Sequence, residues 1–166
     1  MLESRLNIKN GFKHKLSLNH ILSCSATNQA CDGGYSYLVS KFGHDINLIP
    51  EDCEVSSGGK RVDCAKRQCK NKELENTVIR VNNYKFVGGS YGKSNEEAMM
   101  RDIHEHGPQV CSFAPGYEFN MFKSGIYSKI DKKTWKMLKL TQPEWVKVEH
   151  SVLCVGWGKY IIKFRF

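Results

Sequence analysis

Five of the chain's seven cysteines, Cys24, Cys31, Cys53, Cys64 and Cys69, crowd into one stretch of a 166-residue sequence. Thiols are seldom gathered so densely unless they bind metal, do redox chemistry or cross-link the chain. Zinc sites use paired short spacings such as C-x2-C, and no gap here is that short. The stretch therefore reads as a disulfide framework of a secretory or lysosomal protein. An odd total leaves at least one cysteine without a partner inside the chain. Cys111 and Cys154 lie in the apolar runs QVCSFA and SVLCVGW and read as buried thiols outside that framework.

Around this framework the hydrophobic spacing predicts helices first and strands later. Leu2, Leu6 and Ile8 give one face of a short N-terminal helix. Ser17 can cap a helix over 18–23, and residues 34–42 read as a second. Residues 43–75, rich in Gly, Pro, Asn and Asp, read as loop held by covalent bridges. Residues 77–87 have the β-branched and aromatic content of a strand. Ser94 followed by Glu97 is a capping-box signature for a helix that reaches His106 and stops at Gly107-Pro108. Short strands follow at 110–114, 151–157 and 160–164. Helix and strand segregated along the chain imply an α+β class.

Composition narrows the function without assigning one. Hydrophobic residues at 40% and charged residues at 25% fit a folded globular chain. No run of 18 apolar residues occurs, so no membrane-spanning helix is expected, and MLESRLNIKNGFKHK lacks the apolar core of a signal peptide. The net charge of +8 favours acidic partners. The basic residues are spread out, however, with one dense tract at 129–139 and no aromatic-basic repeat, which argues against a nucleic-acid surface.

Three constellations could carry chemistry. Cys31-Asp32-Gly33-Gly34 sets two adjacent glycines beside a cysteine, where a ligand backbone could approach closely; a plain turn before a helix is the commoner cause of such a pair. His150 stands at the mouth of the apolar strand SVLCVGWG, a place for a general base or nucleophile activator, or for a purely structural histidine. His104 and His106 close a helix, where a cation favours the macrodipole and needs no further role.

Taken in order, the segments CDGGY, VGGSYG, NEEAM, HGP, SGIYSK and HSVLCVGWG resemble the papain family of cysteine peptidases, and within it the cathepsin C branch, over nearly the whole chain. The resemblance implies a papain-like two-lobe fold and the roles that follow. His150 matches the catalytic histidine that pairs with a thiolate. Gly33 and Gly34 match the backbone pair that binds an extended substrate. Tyr35 and Tyr37 fall where the branch lines its S2 pocket and holds a chloride ion. The branch adds a tyrosine hydroxyl to that ion at the position of Phe86, so a chloride here would lack one ligand; no other cofactor is implied. The branch pairing joins Cys24 with Cys64 and Cys53 with Cys69, and leaves Cys31 for a cysteine just before the nucleophile.

Several family residues have no counterpart in the sequence. Met1 falls inside the family's central helix, after the Gln…Cys-Gly-Ser-Cys segment that carries the nucleophile. The asparagine that orients the histidine is replaced by Phe164, and residues 129–148 are longer and richer in lysine than in the branch. The expectation is a single incomplete domain over 1–166, with residues 1–75 in the helical left lobe and 76–166 in part of the right β-lobe. When complete it is a dipeptidyl peptidase acting on peptides or proteins in a lysosomal or secretory setting, and as given it is inactive. An oligomer is expected only if the full protein carries the branch's exclusion domain. The competing expectation is a non-catalytic pseudo-peptidase that binds peptides or acidic proteins.

Overall fold

Gly11 ends the first helix in the left-handed conformation (φ 66°), and its N–H bonds the carbonyl of Asn7 at 2.9 Å. That helix, α1 (Leu2–Asn10), opens the computed structural model, which describes residues 1–54, 63–65, 67–127, 137 and 148–158. Leu2 and Leu6 pack on the core, whereas Ile8 is 67% exposed and does not extend that face inward. Ser17 caps α2 (Leu18–Cys24), its hydroxyl accepting from the His20 N–H at 3.2 Å.

The next helix, α3 (Ser36–Asp45), starts two residues later than its sequence suggests. The cause is local: Gly33 (φ 113°) ends a 3-10 turn at Ala30–Asp32, and Tyr35 is still extended before the helix begins. Beyond α3 the chain runs extended between two neighbours. Leu16 bridges Pro50 on one side, and Leu48 exchanges both backbone hydrogen bonds with Ile79 on the other, at 2.7 and 2.8 Å. Leu16, Phe42, Leu48 and Ile79 form one core cluster, with Leu48 only 1% exposed.

Between 43 and 75 the described residues form more than a bridged loop. They contain a two-strand antiparallel ladder, β1 (Cys53–Glu54) with β2 (Gln68–Cys69), and a 3-10 turn at Lys72–Leu74. Cys53 and Cys69 are disulfide-bonded directly across it and are buried with Ile49 and Leu74 in a second core cluster. The other bridge joins Cys24 to Cys64. The strand expected at 77–87 does not form: within it only Ile79 makes a bridge. Asn82 and Asn83, poor strand formers, are exposed and extend no ladder.

The fourth helix, α4 (Glu96–His106), is capped by Asn95, not Ser94. The Asn95 carboxamide oxygen accepts from the Ala98 N–H at 2.9 Å, the bond a capping serine would otherwise make. Arg5 ties α1 to the far end of α4. Its guanidinium donates to the Pro108 carbonyl (2.8 Å), the Asp102 carboxylate (2.7 Å) and the Gly107 carbonyl (3.3 Å).

The described fold comprises two units, Met1–Pro108 with Val155–Phe166, and Gln109–Cys154. The second is built on an antiparallel pair, β3 (Gln109–Phe113) with β4 (His150–Cys154), and includes the short helix α5 (Tyr117–Met121). Its register places Gln109 opposite Cys154, Cys111 opposite Val152 and Phe113 opposite His150. The last strand thus begins at His150 and ends at Cys154, short of the expected 157. Val152 and Leu153 are exposed, and Cys111 and Cys154 are half-exposed rather than buried, because a two-stranded sheet has little to cover it. The expected strand at 160–164, Phe164 and the lysine tract at 129–139 (Met137 apart) lie outside the described residues.

Candidate active site

The glycine loop is shaped by a residue that its motif does not include. Asn28 accepts the Tyr35 N–H at 2.8 Å through its side-chain oxygen, and its amide donates to Ser25 Oγ at 2.9 Å. A Cβ at Gly34 would collide with that same Asn28 side chain, so only glycine lets the loop close over it. Gly33 is different. Its φ of 113° disfavours any L side chain, yet nothing lies within 4 Å of where a Cβ would point. Gly34 faces the Asn28 side chain, whereas Gly33 leaves an open, exposed backbone. Cys31, exposed and outside both bridges, belongs to the preceding 3-10 turn and shares this loop.

Tyr37 and Phe86 meet through their rings. The two rings stack at 4.6 Å with an interplanar angle of 3°, and Tyr84 meets Tyr37 edge-on at 4.9 Å. Tyr91 meets the edge of Phe86 at 5.6 Å and is 78% exposed. Phe86 brings no hydroxyl to this cluster, so the residue at 86 does not fit the role of a chloride ligand. Among the described residues no group of three or more His, Cys, Asp or Glu side chains could hold a metal ion.

His150 is described in the second unit with its own neighbours. As the first residue of β4 it pairs with Phe113, whose ring meets the imidazole edge-on at 5.5 Å. Phe119, on α5, approaches the imidazole at 6.0 Å and contacts Phe113 at 5.2 Å. Tyr127 closes the ring cluster against Phe119 at 5.1 Å. Next along the strand, Ser151 hydrogen-bonds Ser112 across the ladder at 2.8 Å. Imidazole at a strand end, walled by aromatic rings and open to solvent, is held in place while staying reachable by a reacting group.

Phe113, Phe119 and Asn28 are not singled out by the sequence. Phe113 becomes visible once β3 and β4 are paired, since the register alone sets it opposite His150. Phe119 and Asn28 belong to short local structures with no periodic signal. A cavity of about 670 Å³ lies elsewhere, lined by Leu6, Phe12, His14 and residues 77–80, and none of the candidate residues lines it.

Comparison with known proteins gives the chain's family and its fold. The family model "Papain family cysteine protease" matches residues 1–163. The chain is 27% identical to a cathepsin C of Schistosoma mansoni over 165 residues, covering 95% of this chain and 33% of that protein. It is 23% identical to a dipeptidyl aminopeptidase 1 of Plasmodium falciparum, covering 90% of this chain and 30% of that protein. It thus spans about a third of the length of these relatives. Among solved structures, a procathepsin B of Trypanosoma congolense superposes with a TM-score of 0.63 at 19% identity, covering 96% of this chain and 51% of that one. A digestive procathepsin L 3 of Tenebrio molitor larval midgut gives 0.58 at 19% identity, covering 95% and 45%. The partial α+β architecture is therefore papain-like, and by its sequence the chain belongs to the papain family of cysteine proteases.

Proposed function

We propose that these 166 residues form the substrate-loop and histidine part of a cysteine peptidase that removes dipeptides from free N-termini of peptides and proteins. The observation that carries this reading is the seat of His150, a solvent-open imidazole fixed between Phe113 and Phe119 at the start of β4. In the reaction, His150 takes the proton of a cysteine thiol and returns it to the leaving amine, so an acyl-thioenzyme forms and is then hydrolysed. On this reading the longer protein supplies the nucleophilic cysteine and the oxyanion glutamine, and carries the orienting asparagine where the present sequence has Phe164. Gly33 offers its open backbone to an extended peptide, and Tyr35 and Tyr37 supply the aromatic wall of its second pocket. Chloride is no part of the proposal. The two disulfides support a lysosomal or secretory setting. No helix among the described residues is long and apolar enough to cross a membrane. A tetramer belongs to the proposal only if the full protein carries an exclusion domain.

On this reading the chain turns over nothing by itself. The test compares the 166-residue chain with one extended upstream through a Gln…Cys-Gly-x-Cys segment and downstream to Asn-Ser-Trp, using a dipeptidyl-coumarin amide and its N-acetylated analogue. The extended chain is expected to cleave only the free amine, and His150→Ala in it to lower kcat by about 10³-fold or more. Turnover by the short chain that vanishes with Cys31→Ser would overturn the proposal. The exposed rings of Tyr35 and Tyr91 favour a second reading, a peptide binder without catalysis. An extended chain that binds the free-amine peptide but never cleaves it would establish that one.

A further inference from the structure

The β3–β4 pair holds two thiols that the peptidase reading does not use. Cys111 stands opposite Val152, and Cys154 follows Val152 by two residues. Side chains alternate along a strand, so Cys154 projects from the same sheet face as Cys111, as its diagonal neighbour. Cys154 is a near enough neighbour to act on the Cys111 thiol. Both residues are half-exposed, so a small reagent in solution can reach them. From this juxtaposition we infer that Cys111 and Cys154 are a redox pair that closes a third, cross-strand disulfide in an oxidising compartment.

The step is thiol–disulfide exchange with a glutathione-type disulfide. The Cys154 thiolate attacks one sulfur of oxidised glutathione, forming a mixed disulfide and releasing one glutathione thiolate. Cys111 then loses its proton to solvent, its sulfur attacks the Cys154 sulfur, and the second glutathione thiolate departs. Two S–H bonds and one glutathione disulfide become one protein disulfide and two glutathione thiols. Burial first, then the neighbouring Cys154 charge and their hydrogen bond, pushes the Cys111 thiol up to about 11. A thiol held protonated in this way suits the resolving role that the step gives to Cys111. The bond would pin the register that sets Phe113 against His150, so the strand carrying the histidine would be fixed in the oxidised protein.

The test uses the full wild-type chain with Cys31, Cys111 and Cys154 reduced. It is incubated with oxidised glutathione in native buffer, blocked with iodoacetamide and digested without reductant. Mass spectrometry is expected to find a Cys111–Cys154 linked peptide, with Cys31 recovered either alkylated or as its own glutathione adduct. The link should form at least about tenfold faster in native buffer than in urea, because the sheet holds the thiols together. Three results would overturn the inference: separate glutathione adducts on Cys111 and Cys154 with no link, a link from either to Cys31, or equal rates in urea. None of these readouts needs a variant to fold, and Cys154→Ser serves only to identify the linked peptide.

Discussion

At the scale of single residues, two positions carry more than their type suggests. The Asn28 side chain occupies the space that a Cβ at Gly34 would need, while accepting the Tyr35 N–H. Gly34→Ala is therefore expected to destabilise the chain by about 1–3 kcal/mol in urea unfolding. Asn28→Ala should relieve most of that clash, so the two substitutions combine to much less than their sum; simple additivity would show that they do not meet. His20 is the second position, only 4% exposed, with its ring tilted against Phe42 and with no hydrogen-bond partner on Nδ1. Burial, and then the nearby Arg67 charge, lower its pKa below the ordinary 6.5. The unfolded chain then binds a proton at higher pH than the folded one does. The stability from a neutral His20 is full above about pH 6.5 and is lost as pH falls from there toward the lower folded value. In thermal melts, His20→Gln should shrink the fall in Tm between about pH 7 and pH 5. An unchanged pH profile would count against this.

At the scale of elements, the join between α1 and α4 rests on one side chain. Arg5 reaches three acceptors, and its partner Asp102 is mostly buried. Asp102→Asn is expected to lower stability by about 1–3 kcal/mol, because a half-buried guanidinium loses its counter-charge. Arg5→Lys should also destabilise, since an ammonium on a flexible stem cannot reproduce the planar fork. Chemical denaturation of both variants checks this, and an Arg5→Lys variant as stable as wild type would refute it. Helices were the most legible elements, because capping and spacing are local: Ser17 does cap α2, and α4 starts one residue late only because Asn95 offers the better-placed oxygen. Strands were less legible. A strand needs a partner, and nothing in residues 77–87 reveals that only Ile79 finds one.

At the scale of the whole molecule, the papain-family assignment was legible because motifs such as CDGGY and HSVLCVGWG keep their order along the chain. The supports of the site were not. Asn28, Phe113 and Phe119 act through contacts that depend on loop closure and strand register, which no local pattern encodes. The disulfide pairing could not be derived from spacing either, since several connectivities fit the same cysteine count; the family resemblance supplied it. The two bridges differ in setting. Cys64 lies exposed, while Cys53, at 0% exposure, and Cys69 are themselves core residues packed on Ile49 and Leu74. An oxidant therefore meets Cys53 and Cys69 most readily before that core closes. A reductant would reach Cys24–Cys64 first and gain the inner bond only by opening the fold, so the two bridges would be lost in that order.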